Sequence, residues 1–276
     1  MPIRFACKPG FVAYITVGDP DLATSHNIAL AALDAGADVL ELGVPFSDPL
    51  ADGPVIQRAS ERALKNGTRL RDVLDLAATL RTERPKAGLV LFTYYNPVLR
   101  FGLESFCAAA ERAGVDGVLV TDMIVEEAGD YLAALGRHHL APIFLAAPTS
   151  PDERLMRICA VSRGFVYALS RTGITGTQKT LTSDAEQLVR RLRQFTQLPL
   201  AVGFGISTPE QFAAVGEFAD AGVVGSALVA TIEQAGPKDA ASAVARLIEG
   251  LLTPARGRAG DPGLRGGVHE PAVPAR

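Results

Sequence analysis

The chain has 276 residues, 48% of them hydrophobic and 21% charged, with a formal charge of -3, which suits either two small domains or one large α/β barrel. At that charge, and without a long basic run, it offers no electrostatic footprint for a nucleic acid or an anionic membrane surface. The start, Met1-Pro-Ile-Arg-Phe-Ala-Cys-Lys8, lacks the apolar core of a secretory signal, and no apolar stretch approaches the ~18 residues of a membrane span.

Eight short apolar runs rich in Val, Leu, Ile and aromatics follow in chain order: Phe11 to Val17, Asp38 to Gly43, Gly88 to Tyr95, Gly117 to Asp122, Ala141 to Ala146, Gly164 to Ser170, Leu198 to Phe204 and Ala221 to Ser226. Most are continuous rather than alternating, the pattern of strands covered on both faces, so a parallel sheet is expected. Between them lie helix-length segments with apolar residues three and four apart, such as Ile28, Ala31, Ala32 and Ala35. Asp34-Ala-Gly-Ala-Asp38, Arg112-Ala-Gly-Val-Asp116 and Asp220-Ala-Gly222 repeat one device, a glycine whose left-handed backbone closes a helix before the next strand. Eight such units in about 250 residues predict a single (β/α)8 TIM barrel over residues 1–252, since an open doubly wound sheet more often has fewer strands. Residues 253–276, a Pro/Gly/Arg-rich tail with five Gly and four Pro, hold almost no large apolar group and are expected to be disordered.

Sites in such barrels are built from loops at the carboxyl ends of the strands. In the second run, alternation puts Leu40 and Leu42 toward the helices and Val39, Glu41 and Gly43 into the barrel. A lone acid in an apolar strand is costly unless it is paired, protonated or functional. The next stretch, Val44-Pro-Phe-Ser-Asp-Pro-Leu-Ala-Asp-Gly-Pro54, is stiffened by three prolines and carries Asp48 and Asp52 ahead of a helix near Val55. Asp48 suits either capping that helix or meeting a substrate. Asp52 stands above Glu41, and two acids of different burial can divide proton donation from abstraction.

The sixth run leads into Arg171-Thr-Gly-Ile-Thr-Gly-Thr-Gln-Lys-Thr-Leu-Thr182, a polar stretch that suits a lid or plain disorder. Tyr167 shares a face with Phe165 and Leu169, so it serves either the site or packing. After the seventh and eighth runs, Gly203-Phe-Gly-Ile-Ser-Thr-Pro-Glu210 and Gly225-Ser-Ala227 place glycines and hydroxyls where barrels cradle phosphate through backbone amides and helix N-termini. Turn chemistry alone would also account for each glycine.

Scarcity narrows the chemistry. Only five lysines accompany 22 arginines, and Lys8, Lys65, Lys86, Lys179 and Lys238 all lie outside the strand runs, so no barrel-strand lysine is available for a Schiff base. His26, His138, His139 and His269 show no metal-ligand spacing, and no metal is implied. Cys7, Cys107 and Cys159 form neither a disulfide framework nor a zinc pattern, and read as three buried thiols in a reducing, cytoplasmic compartment. What remains is carboxylate acid–base catalysis on a phosphorylated ligand, beside aromatics such as Phe92, Tyr94 and Phe204.

The run Leu40-Glu-Leu-Gly-Val-Pro-Phe-Ser-Asp-Pro-Leu-Ala-Asp-Gly53 resembles the signature segment of the tryptophan synthase alpha subunit. The similarity continues, in family order, through Thr16-Val-Gly-Asp-Pro20, Tyr94-Tyr-Asn-Pro97, Ser170-Arg-Thr-Gly-Ile-Thr-Gly176, Gly203-Phe-Gly-Ile-Ser207 and Gly225-Ser226. The resemblance implies reversible retro-aldol cleavage of indole-3-glycerol phosphate to indole and glyceraldehyde 3-phosphate, a lyase reaction in tryptophan biosynthesis. By motif position, Glu41 would protonate indole C3 and take the glycerol hydroxyl proton, Asp52 would hold or deprotonate the indole N–H, and Tyr167 would line the reacting centre. Gly176, Gly205, Gly225 and Ser226 would bind phosphate; Tyr14, Phe92, Leu119, Leu145 and Phe204 would enclose the indole; Arg171 and Thr175 would belong to a lid that closes over Asp52.

The resemblance further implies a beta subunit, in an assembly of two alpha and two beta chains, that uses pyridoxal phosphate to join indole to serine. Asp48, its loop and Asn96 would face that partner, and no cofactor is expected on this chain. The alternatives are a free-standing indole-3-glycerol phosphate lyase, an activating partner that has lost catalysis, and another phosphate-binding barrel such as a sugar isomerase. Three departures from the family pattern stand out. Only ten residues precede Phe11, where the family usually starts with a helix plugging the barrel base, so the plug is expected to be missing or abbreviated. Tyr14 replaces a usual Phe and puts a hydroxyl near the indole pocket. Ile124 replaces a usual Pro in a partner-facing loop.

Overall fold

The computed structural model describes residues 3–169, 178–203 and 205–259, with side chains for 3–169, 183–203 and 205–253. All eight runs form parallel strand, the fifth in two pieces: β1 (Gly10–Thr16), β2 (Val39–Gly43), β3 (Gly88–Thr93), β4 (Gly117–Val120), β5 (Ala141–Ile143), β6 (Leu145–Ala146), β7 (Val166–Leu169), β8 (Leu200–Gly203) and β9 (Ala221–Val224). The sheet order is β5-β4-β3-β2-β1-β9-β8-β7-β6. Its two ends are consecutive pieces of one run, paired with β4 up to Ile143 and with β7 from Leu145. Between them the Phe144 carbonyl accepts from the Tyr167 N–H at 3.1 Å. The sheet thereby closes into a (β/α)8 barrel.

Among the described residues ten helices cover it: α1 (Leu22–Ala35), α2 (Pro54–Lys65), α3 (Leu70–Glu83), α4 (Tyr95–Phe101), α5 (Leu103–Arg112), α6 (Gly129–Arg137), α7 (Asp152–Val161), α8 (Gln178–Leu192), α9 (Pro209–Phe218) and α10 (Ser226–Ala259). Two of them depart from expectation. Gln178 to Thr182, the end of the polar stretch after the sixth run, already belong to α8, because local helical hydrogen bonding there does not depend on an apolar stripe. Helix α10 turns sharply at Gly236 (φ 71°) and continues past the boundary expected after Leu252. Among the described residues no helix is long and apolar enough to cross a membrane.

Strand alternation splits the core in two. Phe11, Ala13, Leu40, Leu42, Leu89 and Leu91 point outward into the layer shared with the helices, whereas Val12, Val39, Val90, Leu119, Ile143 and Phe165 fill the barrel interior. The repeated helix ending works as expected in two of three places: Gly36 (φ 118°) and Gly114 (φ 73°) are left-handed. Gly222 instead lies inside β9, against the Phe212 ring. What the three segments share is an aspartate that holds the start of the adjacent strand. The carboxylates of Asp38, Asp116 and Asp220 accept from the N–H of Phe11 at 2.8 Å, Leu89 at 2.9 Å and Leu200 at 2.8 Å.

Among the described residues no helix plugs the base. The segment before β1 is irregular, but Ile3 and Phe5 join the interior cluster, Phe5 lies edge-on to Phe165 at 6.2 Å, and the Ala6 N–H donates to Asp38 at 2.9 Å. Two side chains thus do the work of an abbreviated plug. Cys107 and Cys159 are buried, but Cys7, in this irregular segment, is exposed, which corrects the expectation of three buried thiols. Asp38→Ala removes the acceptor for two strand and plug amides, and should lower stability by about 2 kcal/mol, seen as a lower urea midpoint at unchanged m-value.

Candidate active site

Glu41 points into the barrel from β2 with no exposure at all. Neither carboxyl oxygen has a hydrogen-bond partner among the described residues. Burial therefore pushes its pKa from 4.5 up to about 8, and the carboxyl holds its proton at neutral pH. Tyr14 from β1 and Tyr167 from β7 stand on either side of the same cavity. Their hydroxyls are driven well above the usual tyrosine range by burial first, and then by the negative charge of both Asp52 and Glu41. Two glycines make room for these rings. A side chain at Gly43 would meet the Tyr14 hydroxyl at 2.5 Å, and one at Gly203 would collide with that of Tyr167.

The loop after β2 brings the second acid. Helix α2 starts on Gly53 as N-cap with Pro54 in the first turn and has no side-chain cap, so neither Asp48 nor Asp52 is spent on capping. Asp48 is exposed and accepts from its neighbour Ser47 at 2.5 Å. Asp52 is half-buried, and its carboxylate accepts from the Tyr94 hydroxyl at 2.9 Å. Burial raises the Asp52 pKa, and the Tyr94 hydrogen bond opposes that rise.

A cavity of about 160 Å³ joins Tyr14, Glu41, Phe92 and Tyr167 to Gly203, Gly205, Gly225 and Ser226. The two helix N-termini beyond β8 and β9 differ. That of α9 is closed by its own capping box, with Gln211 Oε1 accepting from the N–H groups of Ser207 and Thr208. Helix α10 instead begins at Ser226, on the cavity wall, where its dipole and first amides favour an anion.

Not every expected residue comes here. Leu119 and Leu145 pack in the barrel interior with Phe92 and Tyr167, their partners on the neighbouring strands, and are not among the residues lining the cavity. Ile56, Leu169 and Val223 line it instead. Each carried a signal of period: Ile56 falls one helical turn after Asp52, Leu169 alternates with Tyr167, and Val223 with Gly225. Arg171, Thr175, Gly176 and Phe204 lie outside the described residues. A larger cavity, about 840 Å³, opens at the opposite end of the barrel beside Ile3, Phe5, Asp38 and Asp116, away from the paired acids.

On the same end as the acids, three apolar side chains are exposed on loops or helices following adjacent strands: Leu50 (93%), Leu99 (54%) and Ile124 (46%). Asn96 is exposed between the first two. The Tyr95 N–H donates to Asp122 at 2.7 Å, which ties the start of α4 to the loop that carries Ile124.

The family model described as tryptophan synthase alpha chain matches residues 4–253. The chain is 52% identical to the tryptophan synthase alpha chain of Solibacter usitatus over 227 residues, covering 82% of this chain and 85% of that one. It is 45% identical to that of Chloroflexus aurantiacus over 251 residues, covering 91% and 94%. Among solved structures it is similar to the tryptophan synthase subunit alpha from Legionella pneumophila, with a TM-score of 0.83 and 35% identity over 90% of this chain and 93% of that one. A mutant alpha subunit from Pyrococcus furiosus gives 0.82 and 40%, over 90% and 99%.

Proposed function

This chain belongs to the tryptophan synthase alpha chain family, and from that membership together with Glu41 and Asp52 we propose that it cleaves indole-3-glycerol phosphate to indole and glyceraldehyde 3-phosphate. The observation that carries the proposal is Glu41, a carboxyl with both oxygens unpartnered, protonated at neutral pH and open to a cavity. Glu41 gives its proton to indole C3 while Asp52 takes the N–H proton, which makes the neutral indolenine tautomer. The Glu41 carboxylate then removes the proton of the glycerol hydroxyl next to the ring. As that oxygen becomes the aldehyde, the carbon–carbon bond breaks, its electrons return to the ring, and Asp52 gives the proton back to nitrogen. Both acids end as they began, and the ring serves as the electron sink without a Schiff base or a metal.

Gly205, Gly225 and Ser226, at the N-terminus of α10, suit the phosphate, with Gly176 assigned there by motif. Tyr14, Phe92 and Ile56 suit the flat ring, with Phe204 by motif; Arg171 and Thr175 are the motif's lid, and Tyr167 borders the reacting carbon. Leu119 and Leu145, paired with Phe92 and Tyr167 on the neighbouring strands, are assigned to the ring's enclosure by motif.

The exposed Leu50, Leu99 and Ile124, on the segments that follow β2, β3 and β4, favour a docked partner at the end of the barrel that carries Asp52. In this proposal the partner is the beta chain of the synthase, two of each forming the assembly, and pyridoxal phosphate belongs to that chain. The test is indole release from indole-3-glycerol phosphate by the purified chain. Slow release that accelerates when a beta chain is added is expected. Full speed alone, with no complex by size exclusion, would point to a free-standing lyase.

A further inference from the structure

Tyr94 was assigned no role by the family motifs, yet it contacts the loop after β2 at both ends. It is 4% exposed and stands as the residue before α4. Its ring lies on that of Phe46, with centroids 5.0 Å apart and planes at 32°, near the loop's beginning. Its hydroxyl accepts from the Ala51 N–H at 2.9 Å and lies 2.9 Å from Asp52 Oδ2, at the loop's end. The direction of the second bond follows from the first partner. An amide N–H can only donate, so the tyrosine proton is left for the carboxylate.

The loop's other ties are of a different kind. Within it, the Leu50 N–H donates to the Asp48 carbonyl at 2.9 Å and the Asp52 N–H to the Pro49 carbonyl at 3.0 Å. From α2, Gln57 Nε2 donates to the Asp52 carbonyl at 2.8 Å. These shape the turn but do not aim the Asp52 side chain. Leu50 at the turn's tip is almost wholly exposed, so packing does not aim it either. The ionisable groups around the carboxylate are Tyr94 between β3 and α4, Tyr14 from β1 and Tyr167 from β7. Among the described residues Tyr94 is the one with a hydrogen bond to it.

We propose that Tyr94 is a positioning residue, whose hydroxyl fixes the Asp52 carboxylate in the orientation that meets the substrate and whose ring anchors the start of the same loop. The proposal deepens the lyase assignment above and rests on it for its kinetic consequences. A carboxylate held by a short bond to a buried hydroxyl loses less orientational freedom when the substrate arrives, so the bond acts on the chemical step more than on binding. It also stabilises the ionised form of Asp52.

The test is Tyr94→Phe, which keeps the ring on Phe46 and removes only the hydroxyl. Carbon-13 titration of the aspartate carboxyls should show the Asp52 midpoint moving to higher pH in the variant. For indole release, kcat should fall about tenfold, the scale of one hydrogen bond to a charged group, with KM within about twofold. In an Asp52→Asn background the same substitution should change kcat less than about twofold, because the group being aimed has gone. An unmoved Asp52 midpoint, or an equal loss of rate with and without Asp52, would overturn the proposal. If the wild-type chain forms no indole, alone or with a beta chain, the lyase assignment fails, and the titration still decides whether Tyr94 holds Asp52. Thermal melts of each variant identify any that fail to fold, and Asn96→Ala, on the exposed first turn of α4, serves as the control that leaves the midpoint in place.

Discussion

Glu41→Gln should lower indole release from indole-3-glycerol phosphate by about 10³-fold, the scale of a general acid–base group, with KM little changed. The amide has the shape of the carboxyl but can neither give a proton to carbon nor take one from the glycerol hydroxyl. An unchanged rate would remove Glu41 from the mechanism. The same carboxyl sets a pH limit. Since Glu41 must be protonated to start the reaction and burial lifts its pKa to about 8, kcat should fall as pH rises through that value. On the acid side the rate should fall as Asp52 takes up its proton, so the profile is bell-shaped.

Glu41→Met should do the opposite to stability. The carboxyl titrates at 4.5 when solvated and at about 8 in the fold, so between those values the folded chain holds a proton that the unfolded chain has lost. Stability therefore declines as pH rises from about 4.5 to about 8, by on the order of 3–5 kcal/mol. An apolar side chain of similar volume escapes that loss. At pH 8 the variant's Tm should exceed the wild type's by about 5–10 °C, and the gap should narrow toward pH 5. A gap that does not change with pH would mean that Glu41 is not buried unpaired. A site that destabilises its own fold at working pH is the expected signature of a group kept for chemistry.

The particular residues show how much was legible without coordinates. Alternation alone put Glu41 inside and Leu40 and Leu42 outside, because a strand's period of two needs no tertiary information. The same rule gives the face of a strand but not its neighbours across the barrel: that Leu119 stands beside Phe92 and Leu145 beside Tyr167 follows from strand pairing. Two contacts were invisible for a similar reason. The aspartate that holds an amide near the start of the preceding strand, and the Tyr94 hydroxyl on Asp52, each join segments 20 to 42 residues apart, and local pattern says nothing of such pairs.

The abbreviated plug shows the division most clearly. Only the folded chain decided that Ile3 and Phe5 would fill the barrel base, since that depends on an interior cavity created by all eight runs together. The 276 residues by themselves determined the barrel, through eight apolar runs with helical segments between, and narrowed the candidate chemistry toward carboxylates, through where lysine and histidine are missing. The tertiary structure decided what sets the two acids apart. Glu41 and Asp52 are both carboxyls in one signature segment, and only the fold leaves Glu41 buried with no partner among the described residues and gives Asp52 a tyrosine hydroxyl.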